Sequence, residues 1–435
     1  MIGRGKKRGP QRGQTVRDSF PHSAIHSPRD RRAMLKGTIG SAAALAAWPA
    51  SLRAQAPSSL AGTPPLVPMR LSPDQLIDIK CCIRPLRAAG PNLAAETVRD
   101  RLVIHNYGHG GSGWSLSWGS AEIAVGKALS VLPRRIAVVG CGIVGLTSAI
   151  VAQRAGLEVT IYARELLPRT RSFRASGSFT PGSRIALSGP AGPQFPEVWE
   201  QMARHSWKMF RTFLGMPGDP VAFGESYSVS ENPIERRTWP HDPAITESYE
   251  TAGLPRQNAE FAHLDSRIRD IVPQAIPLAP DENPFATPFA QRSSHMYFNF
   301  PAYGHLLLSE FFARGGRYVM RDFHSPGDVG ELPERVIIHA TGYAARDLWQ
   351  DRTVIPVRGQ TGWLVPQPGV NYSLRSSNMS AMSKGDGIVV MNTNPDLGDM
   401  LGVGDSTELP NRAPIEEAMA TLSRFFVPPA QRGAA

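Results

Sequence analysis

Cysteine is scarce in this 435-residue chain: there are three, Cys81, Cys82 and Cys141. A bond between adjacent Cys81 and Cys82 would close a strained ring, and no C-x-x-C or Cys/His ligand spacing occurs. A disulfide framework and a structural zinc site are therefore not expected, and no metal ligand set is assigned. Charge is also thin, at 19% of residues. No internal repeat is visible, and no apolar run reaches the roughly 20 residues that a membrane-crossing helix needs. The formal net charge of +10 is a local feature. Residues 1–56 hold eleven Lys/Arg against two acids, which leaves 36 Lys/Arg against 35 acids in the remainder. A nearly neutral body gives no electrostatic footprint for nucleic acid. What is abundant is apolar material, 41%, enough for a large core and for two or three domains at this length. The 41 glycines and 39 prolines follow no period and fit a turn-rich globular chain.

The basic segment has the form of an export address. Asp30-Arg31-Arg32-Ala33-Met34-Leu35-Lys36 resembles a twin-arginine signal, a weakly apolar run from Gly37 to Ala50 follows, and Ala54-Gln55-Ala56 has the small-x-small form of a cleavage site. A basic arm without structure is the other reading. The first reading places the protein in the periplasm or outside the cell, with the twin-arginine export machinery as a partner. Residues 57–73, rich in Pro, Ser and Gly, read as a linker.

Downstream, the pattern is α/β. Arg135 to Val139 is a short run of β-formers, a helix is expected from about Ile143 to Ala155 with Gly156 closing it, and Leu157 to Tyr162 reads as the next strand. Residues 119–130 and 197–213 have helical patterns, Arg317 to Met320 and Arg335 to Ile338 read as strands, and a last helix starts near Pro414. Within the strand–turn–helix unit lies Gly140-Cys141-Gly142-Ile143-Val144-Gly145, a G-x-G-x-x-G with an acid, Glu165, about twenty residues beyond its last glycine. Gly140 permits a tight turn, Gly142 lets the backbone approach a pyrophosphate, and Gly145 lets helix and strand pack closely. The N–H groups at the helix start suit phosphate. The motif alone does not separate NAD from FAD.

His105-Asn106-Tyr107-Gly108-His109-Gly110-Gly111-Ser112-Gly113-Trp114-Ser115-Leu116-Ser117-Trp118-Gly119 resembles the signature of the D-amino-acid oxidase family of flavoproteins. Ile83-Arg84-Pro85-Leu86-Arg87, the loop from Arg171 to Pro181 with Ala175-Ser176-Gly177, the strand from Val336 into Thr341-Gly342, and Arg358-Gly359-Gln360 are similar to further segments of that family. The resemblance covers most of residues 80–365, while 215–290 and 366–435 match poorly. The order differs: in the family the G-x-G-x-x-G comes first and the H-N-Y-G-H-G-G segment near the end. Here the signature precedes the fingerprint, which implies a circular permutation with a joint at 130–135; a gene-model error is the alternative, disfavoured because every family segment is present once.

The resemblance implies non-covalent FAD. It implies cofactor contacts from Gly140, Gly142, Gly145, Arg164, Glu165, Thr170, Ser172, Ser176, Gly177, Phe323, Thr341 and Gly342. Gly110, Ser112, Gly113, Trp114 and Ser115 would line the flavin ring. It assigns Arg84 to the substrate carboxylate, a role suited to a planar guanidinium fork, and the backbone carbonyl of Gly111 to the substrate amino group. His109 is either catalytic or a backbone-ordering residue. The implied reaction is oxidative deamination of a D-amino acid. Hydride passes to flavin N5, the imino acid hydrolyses to a 2-oxo acid and ammonia, and oxygen restores the flavin and yields hydrogen peroxide. Two alternatives stand: a dehydrogenase passing electrons to another acceptor, and a flavin-binding protein without catalysis. The family's tyrosines over the substrate have no clear counterpart; Tyr372 is the candidate in the loop, and Lys384 reads as a solvated loop lysine. A homodimer is left open.

The expected architecture is α/β, a Rossmann-like FAD-binding domain with a second, α+β substrate domain on a mostly antiparallel sheet. The expected segments are a signal over 1–56, a linker over 57–73, FAD-binding parts over 74–190 (74–132 and 134–190) and 293–350, and substrate-domain parts over 191–292 and 351–435.

Overall fold

The computed structural model describes residues 66–234, 261–393 and 398–426. The signal-like segment and the first part of the expected linker lie outside the described residues. Two sheets carry the fold, and both belong to one compact unit, residues 65–435.

The smaller sheet has six strands in the order β2-β3-β10-β4-β5-β9. These are β2 (Ala95–Val98), β3 (Arg101–His105), β4 (Arg135–Val139), β5 (Glu158–Ala163), β9 (Arg317–Met320) and β10 (Val336–His339). All neighbours run parallel except β2 and β3. The apolar runs of β4 and β10 are buried almost throughout, as a parallel sheet covered on its faces requires. Helix α1 (Gly113–Leu129) follows β3, and α2 (Ile143–Arg154) connects β4 to β5 as the crossover of a βαβ unit. Helix α1 packs on α2 and, at Gly119, so closely on α4 (Phe195–Arg211) that a Cβ there would fall 2.2 Å from the Met202 carbonyl. A short α3 (Ser188–Ala191) precedes α4. Trp118, Trp199, Phe210 and Tyr303 fill the core beneath these helices.

The larger sheet has eight strands, order β1-β11-β14-β13-β12-β6-β8-β7, and is antiparallel except where β12 meets β6. They are β1 (Leu76–Arg87), β6 (Val221–Ser230), β7 (Ile276–Pro277), β8 (Phe289–Phe298), β11 (Val354–Leu364), β12 (Tyr372–Ser376), β13 (Met379–Lys384) and β14 (Gly387–Asn392). The helix Ala413–Ser423 covers it through Ile415, Ala418, Met419 and Leu422.

Several expectations change. Strand β1, counted with the FAD-binding segment 74–190, is an edge of the large sheet, because it pairs with β11 along nearly its whole length. Strand β8 crosses the expected boundary at 292/293 and is paired with β6 from Phe289 to Phe298. Residues 66–73 are not a free linker: Met69 and Leu71 are buried, and Arg70 exchanges two backbone hydrogen bonds with the Gln367 side chain. The first helix begins at Gly113 rather than 119, directly from the glycine loop.

Candidate active site

A cavity of about 950 Å³ is lined by residues of both sheets and of the loops between them. Its geometry begins at the fingerprint. Gly140 has φ +106°, and a Cβ there would lie 2.5 Å from the Ala340 carbonyl, so only glycine lets β4 turn against β10. Gly142 caps the start of α2 and lines the cavity together with Gly140. Ser172 Oγ accepts from the Ile143 N–H at 3.1 Å and ties the 170–176 loop to that helix start. Gly145 does not line the cavity; a Cβ on it would fall 2.1 Å from the Gly140 carbonyl, so its work is the close approach of α2 to β4. Arg164, Glu165, Phe323, Thr341 and Gly342 line the same end.

At the other end stands the glycine loop, held from two sides. The Gly110 N–H donates to the Pro85 carbonyl at 2.8 Å and the Gly111 N–H to the Ser183 carbonyl at 2.9 Å. Gly110 has φ +54° with no space for a Cβ beside the Arg184 carbonyl. Gly111, Gly113 and Trp114 line the cavity at the start of α1, whose positive dipole end is therefore turned to it. Ser112 and Ser115 are buried behind the wall. Ser112 Oγ donates to the Ser183 carbonyl at 3.0 Å, and Ser115 Oγ accepts from the Thr180 N–H at 2.8 Å. Trp114 donates to the Ser172 carbonyl at 2.8 Å and stacks on Phe300 at 4.4 Å, joining α1 to the 170–176 loop. Thr170 and Ser176 line the cavity, whereas Gly177 lies behind it against Lys384.

Strand β1 delivers Arg84. Its Nη1 donates to the Arg358 carbonyl at 3.3 Å, and its guanidinium occupies the space over Gly359, where a Cβ would come within 2.2 Å of Nη1. The glycine of R-G-Q thus clears room for the arginine. Sequence reading missed the group beside it. Cys82, Arg171, Arg174 and Glu408 also line the cavity, and Glu408 bridges Arg171 Nε (2.6 Å) and Arg174 Nη1 (2.8 Å). Burial raises the Glu408 carboxyl, but the two arginines outweigh it and hold it below the usual range. Glu408 stands 234 residues from Arg174, so no local pattern could reveal the pair.

Two other readings are corrected. Tyr372 is fully buried in β12, donates to the Val67 carbonyl at 2.8 Å and does not line the cavity. Lys384 is a buried residue that ends β13, not a solvated loop lysine. Its Nζ lies 3.0 Å from Asp386 Oδ1, donates to the Phe298 carbonyl at 3.1 Å and sits 4.4 Å over the Phe300 ring. Met391 and Thr393, at the end of β14, take the lining positions on that side.

The donor set fits FAD. The glycine cradle and helix start suit a pyrophosphate, and Glu165 places a carboxylate on the lining at the same end, a group suited to ribose hydroxyls. Two buried polar atoms of cavity residues, Asn106 Oδ1 and His109 Nε2, have no partner within the described residues, as expected of groups that meet a ligand or its waters. Burial lowers the His109 pKa to about 4, so its ring is neutral at physiological pH. Among the described residues no cluster of His, Cys, Asp or Glu could hold a metal ion, and no helix is long and apolar enough to cross a membrane.

The profile of the family described as DAO, FAD dependent oxidoreductase, matches residues 135–433. A D-amino-acid oxidase of Rubrobacter xylanophilus is 28% identical over 229 residues, 52% of this chain and 58% of that protein. A D-amino-acid oxidase of Streptomyces coelicolor is 26% identical over 243 residues, 54% and 60%. The chain thus spans less than two thirds of the length of these curated relatives. Among solved structures, a Proteus vulgaris L-amino acid deaminase with its specific insertion deleted is 14% identical at a TM-score of 0.44, covering 68% of this chain and 75% of that one. With a family match over well more than half its length and the fingerprint at the match's start, the chain belongs to the FAD dependent oxidoreductase (DAO) family.

Proposed function

We propose that the chain oxidises the CH–NH2 group of a D-amino acid, with oxygen as the acceptor of the electrons. The observation that carries this reading is that Arg84, the glycine loop and the fingerprint line one cavity. Bound FAD supplies the hydride acceptor. Arg84 holds the substrate carboxylate through two charged hydrogen bonds, and the Gly111 carbonyl accepts from the substrate amino group, which orients the α-carbon. With FAD bound, the positive end of the α1 dipole at Gly113 would favour negative charge in the cavity. Ile83, Trp114 and Met391 add apolar surface to the cavity wall. The D preference is supported by the names of the two curated relatives. Replacing Arg84 by Ala tests the assignment: carboxylate substrates should lose affinity while the flavin stays bound, and unchanged kinetics would refute it.

A circular permutation is part of the same reading. It is supported by the family match beginning at Arg135, the first residue of β4, directly after a short joint in which Leu132 is exposed and has φ +49°. A chain re-cut between residues 132 and 134, with its ends joined around 74, should still take up FAD; loss of folding would count against the permutation. We also propose that residues 1–56 direct export, which replacement of Arg31 and Arg32 by Lys should block.

A further inference from the structure

A row of four polar groups with two buried histidines at its centre plays no part in the reaction proposed above. His105 Nε2 lies 2.9 Å from Glu96 Oε1, His105 Nδ1 lies 3.0 Å from His339 Nδ1, and His339 Nε2 lies 2.6 Å from Thr341 Oγ1. The chain runs from a half-exposed carboxylate on β2, through two buried histidines on β3 and β10, to a hydroxyl of the cofactor cavity. Trp349 braces the row, stacking on His339 at 4.0 Å and donating to Glu96 Oε1.

The hydrogens in this chain have one arrangement while it is neutral. A carboxylate only accepts, so His105 Nε2 carries its proton and His105 Nδ1 is bare. His339 must then donate through Nδ1, which leaves its Nε2 bare, and Thr341 donates its hydroxyl proton inward. The Thr341 hydroxyl then offers the cavity lone pairs only. One added proton reverses the last link wherever it settles. On His339 it occupies Nε2 directly. On His105 it occupies Nδ1, and the contact survives only if His339 moves its own proton to Nε2. Either way His339 Nε2–H donates to Thr341, and the hydroxyl proton turns to the cavity.

We propose that Glu96, His105 and His339 are positioning residues that decide whether Thr341 offers the bound cofactor a lone pair or a proton. The proposal rests on the FAD reading of the cavity. Thr341 stands beside the fingerprint: a Cβ on Gly140 would lie 3.2 Å from the Thr341 N–H nitrogen. The ligand group expected there is an anionic phosphate, so the protonated chain binds FAD more tightly through a new donor and an added positive charge.

Other charged groups around His105 leave the switch to the histidines. Arg87 of β1 opposes its protonation; Asp351 and Glu96 favour it. Asp351 is tied to Arg87 at 3.2 Å and accepts from Tyr107 at 2.8 Å. Burial and the Asp351 bond push the Tyr107 hydroxyl up to about 12, while Asp351 stays below the usual carboxylate range, so neither titrates between pH ~5.5 and ~8. Burial, partly offset by Glu96, lowers His105, and burial together with His105 lowers His339, so the neutral arrangement prevails at pH ~7.4.

The test is the FAD dissociation constant of the full chain, read from the fluorescence of free flavin at about pH 8 and about pH 5.5, for the wild type, Thr341→Val and Thr341→Ser. Circular dichroism confirms folding at both pH values. On acidification the wild type should bind FAD more tightly, Thr341→Ser should keep that change, and Thr341→Val, nearly the same shape without the hydroxyl, should lose it. A flat wild-type profile, or a Thr341→Val variant with the wild-type slope, overturns the proposal. Failure of all three to bind FAD at either pH would overturn the cofactor reading itself, and with it the proposal.

Discussion

Replacing Gly145 by Ala adds one methyl group at the tightest point of the cofactor turn. The new Cβ would sit 2.1 Å from the Gly140 carbonyl oxygen and 2.9 Å from its carbon, with Ala340 Cβ at 3.5 Å on the next strand. The first two are backbone atoms of the turn itself, so no side chain can swing aside. A carbon–oxygen contact relaxes only near 3.4 Å, which requires α2 to move from β4 by roughly an ångström. Overpacking of this kind costs about 1–3 kcal/mol, with the upper end expected because backbone must yield. In the proposed reading the displaced element carries the N–H groups that meet the pyrophosphate, so FAD affinity should fall by about 1.4 kcal/mol or more, at least roughly ten-fold. Gly126→Ala in α1 is the control. No atom lies within 4 Å of a Cβ there, and an exposed mid-helix alanine should stabilise by about 0.5–1 kcal/mol. Both are measured by thermal melting with and without FAD and by flavin titration. A Gly145→Ala protein with wild-type FAD affinity would refute the reasoning that this glycine exists for close helix–strand approach.

Other outcomes follow from the same geometry. Arg84→Ala should lower kcat/KM for carboxylate substrates by about 3–4 kcal/mol, roughly 10²–10³-fold, and Arg84→Lys should recover only part of it; steady-state kinetics decides. Lys384→Met leaves Asp386 buried without its cation and should cost about 3–5 kcal/mol by denaturant unfolding, more than the double change with Asp386→Asn. Glu310 is raised by burial, but Arg154 at 2.9 Å and Arg314 at 2.9 Å outweigh this and depress its pKa. A depressed folded pKa adds stability above the unfolded value, which is lost as pH falls. Glu310→Gln should therefore lower Tm at neutral pH, and the difference should close as acid takes pH below about 4.

Local chemistry was the legible part of this molecule. Gly140, Gly142 and Gly145 announce a turn and a helix start because their spacing is set by one βαβ unit, and β4, α2 and β5 fall within a residue or two of expectation. Cavity residues Arg84, Gly111, Glu165, Thr341 and Trp114 were found through contiguous segments. Long-range partners were not legible. β1 is drawn into the large sheet by β11, which lies over 260 residues along the chain, and Glu408 meets Arg171 across 237 residues. Lys384 looked solvated because its neighbours are Ser383, Gly385 and Asp386; the aromatic wall of Phe300 and Trp363 that buries it comes from a helix and from strand β11. The Glu96–His105–His339–Thr341 chain was hidden for the same reason, since β3 and β10 become neighbours only when the parallel sheet forms.

The central claim is that one cavity joins FAD to an amino acid held by Arg84. Its most direct test is the visible spectrum of the purified chain, recorded anaerobically before and after addition of D- and then L-amino acids. The account predicts a yellow protein whose absorbance bleaches with a D-amino acid, returns on admission of air, and does not bleach under the same conditions when Arg84 is Ala. A colourless protein that takes up no FAD, or a yellow one bleached equally well with Arg84 replaced, would contradict it.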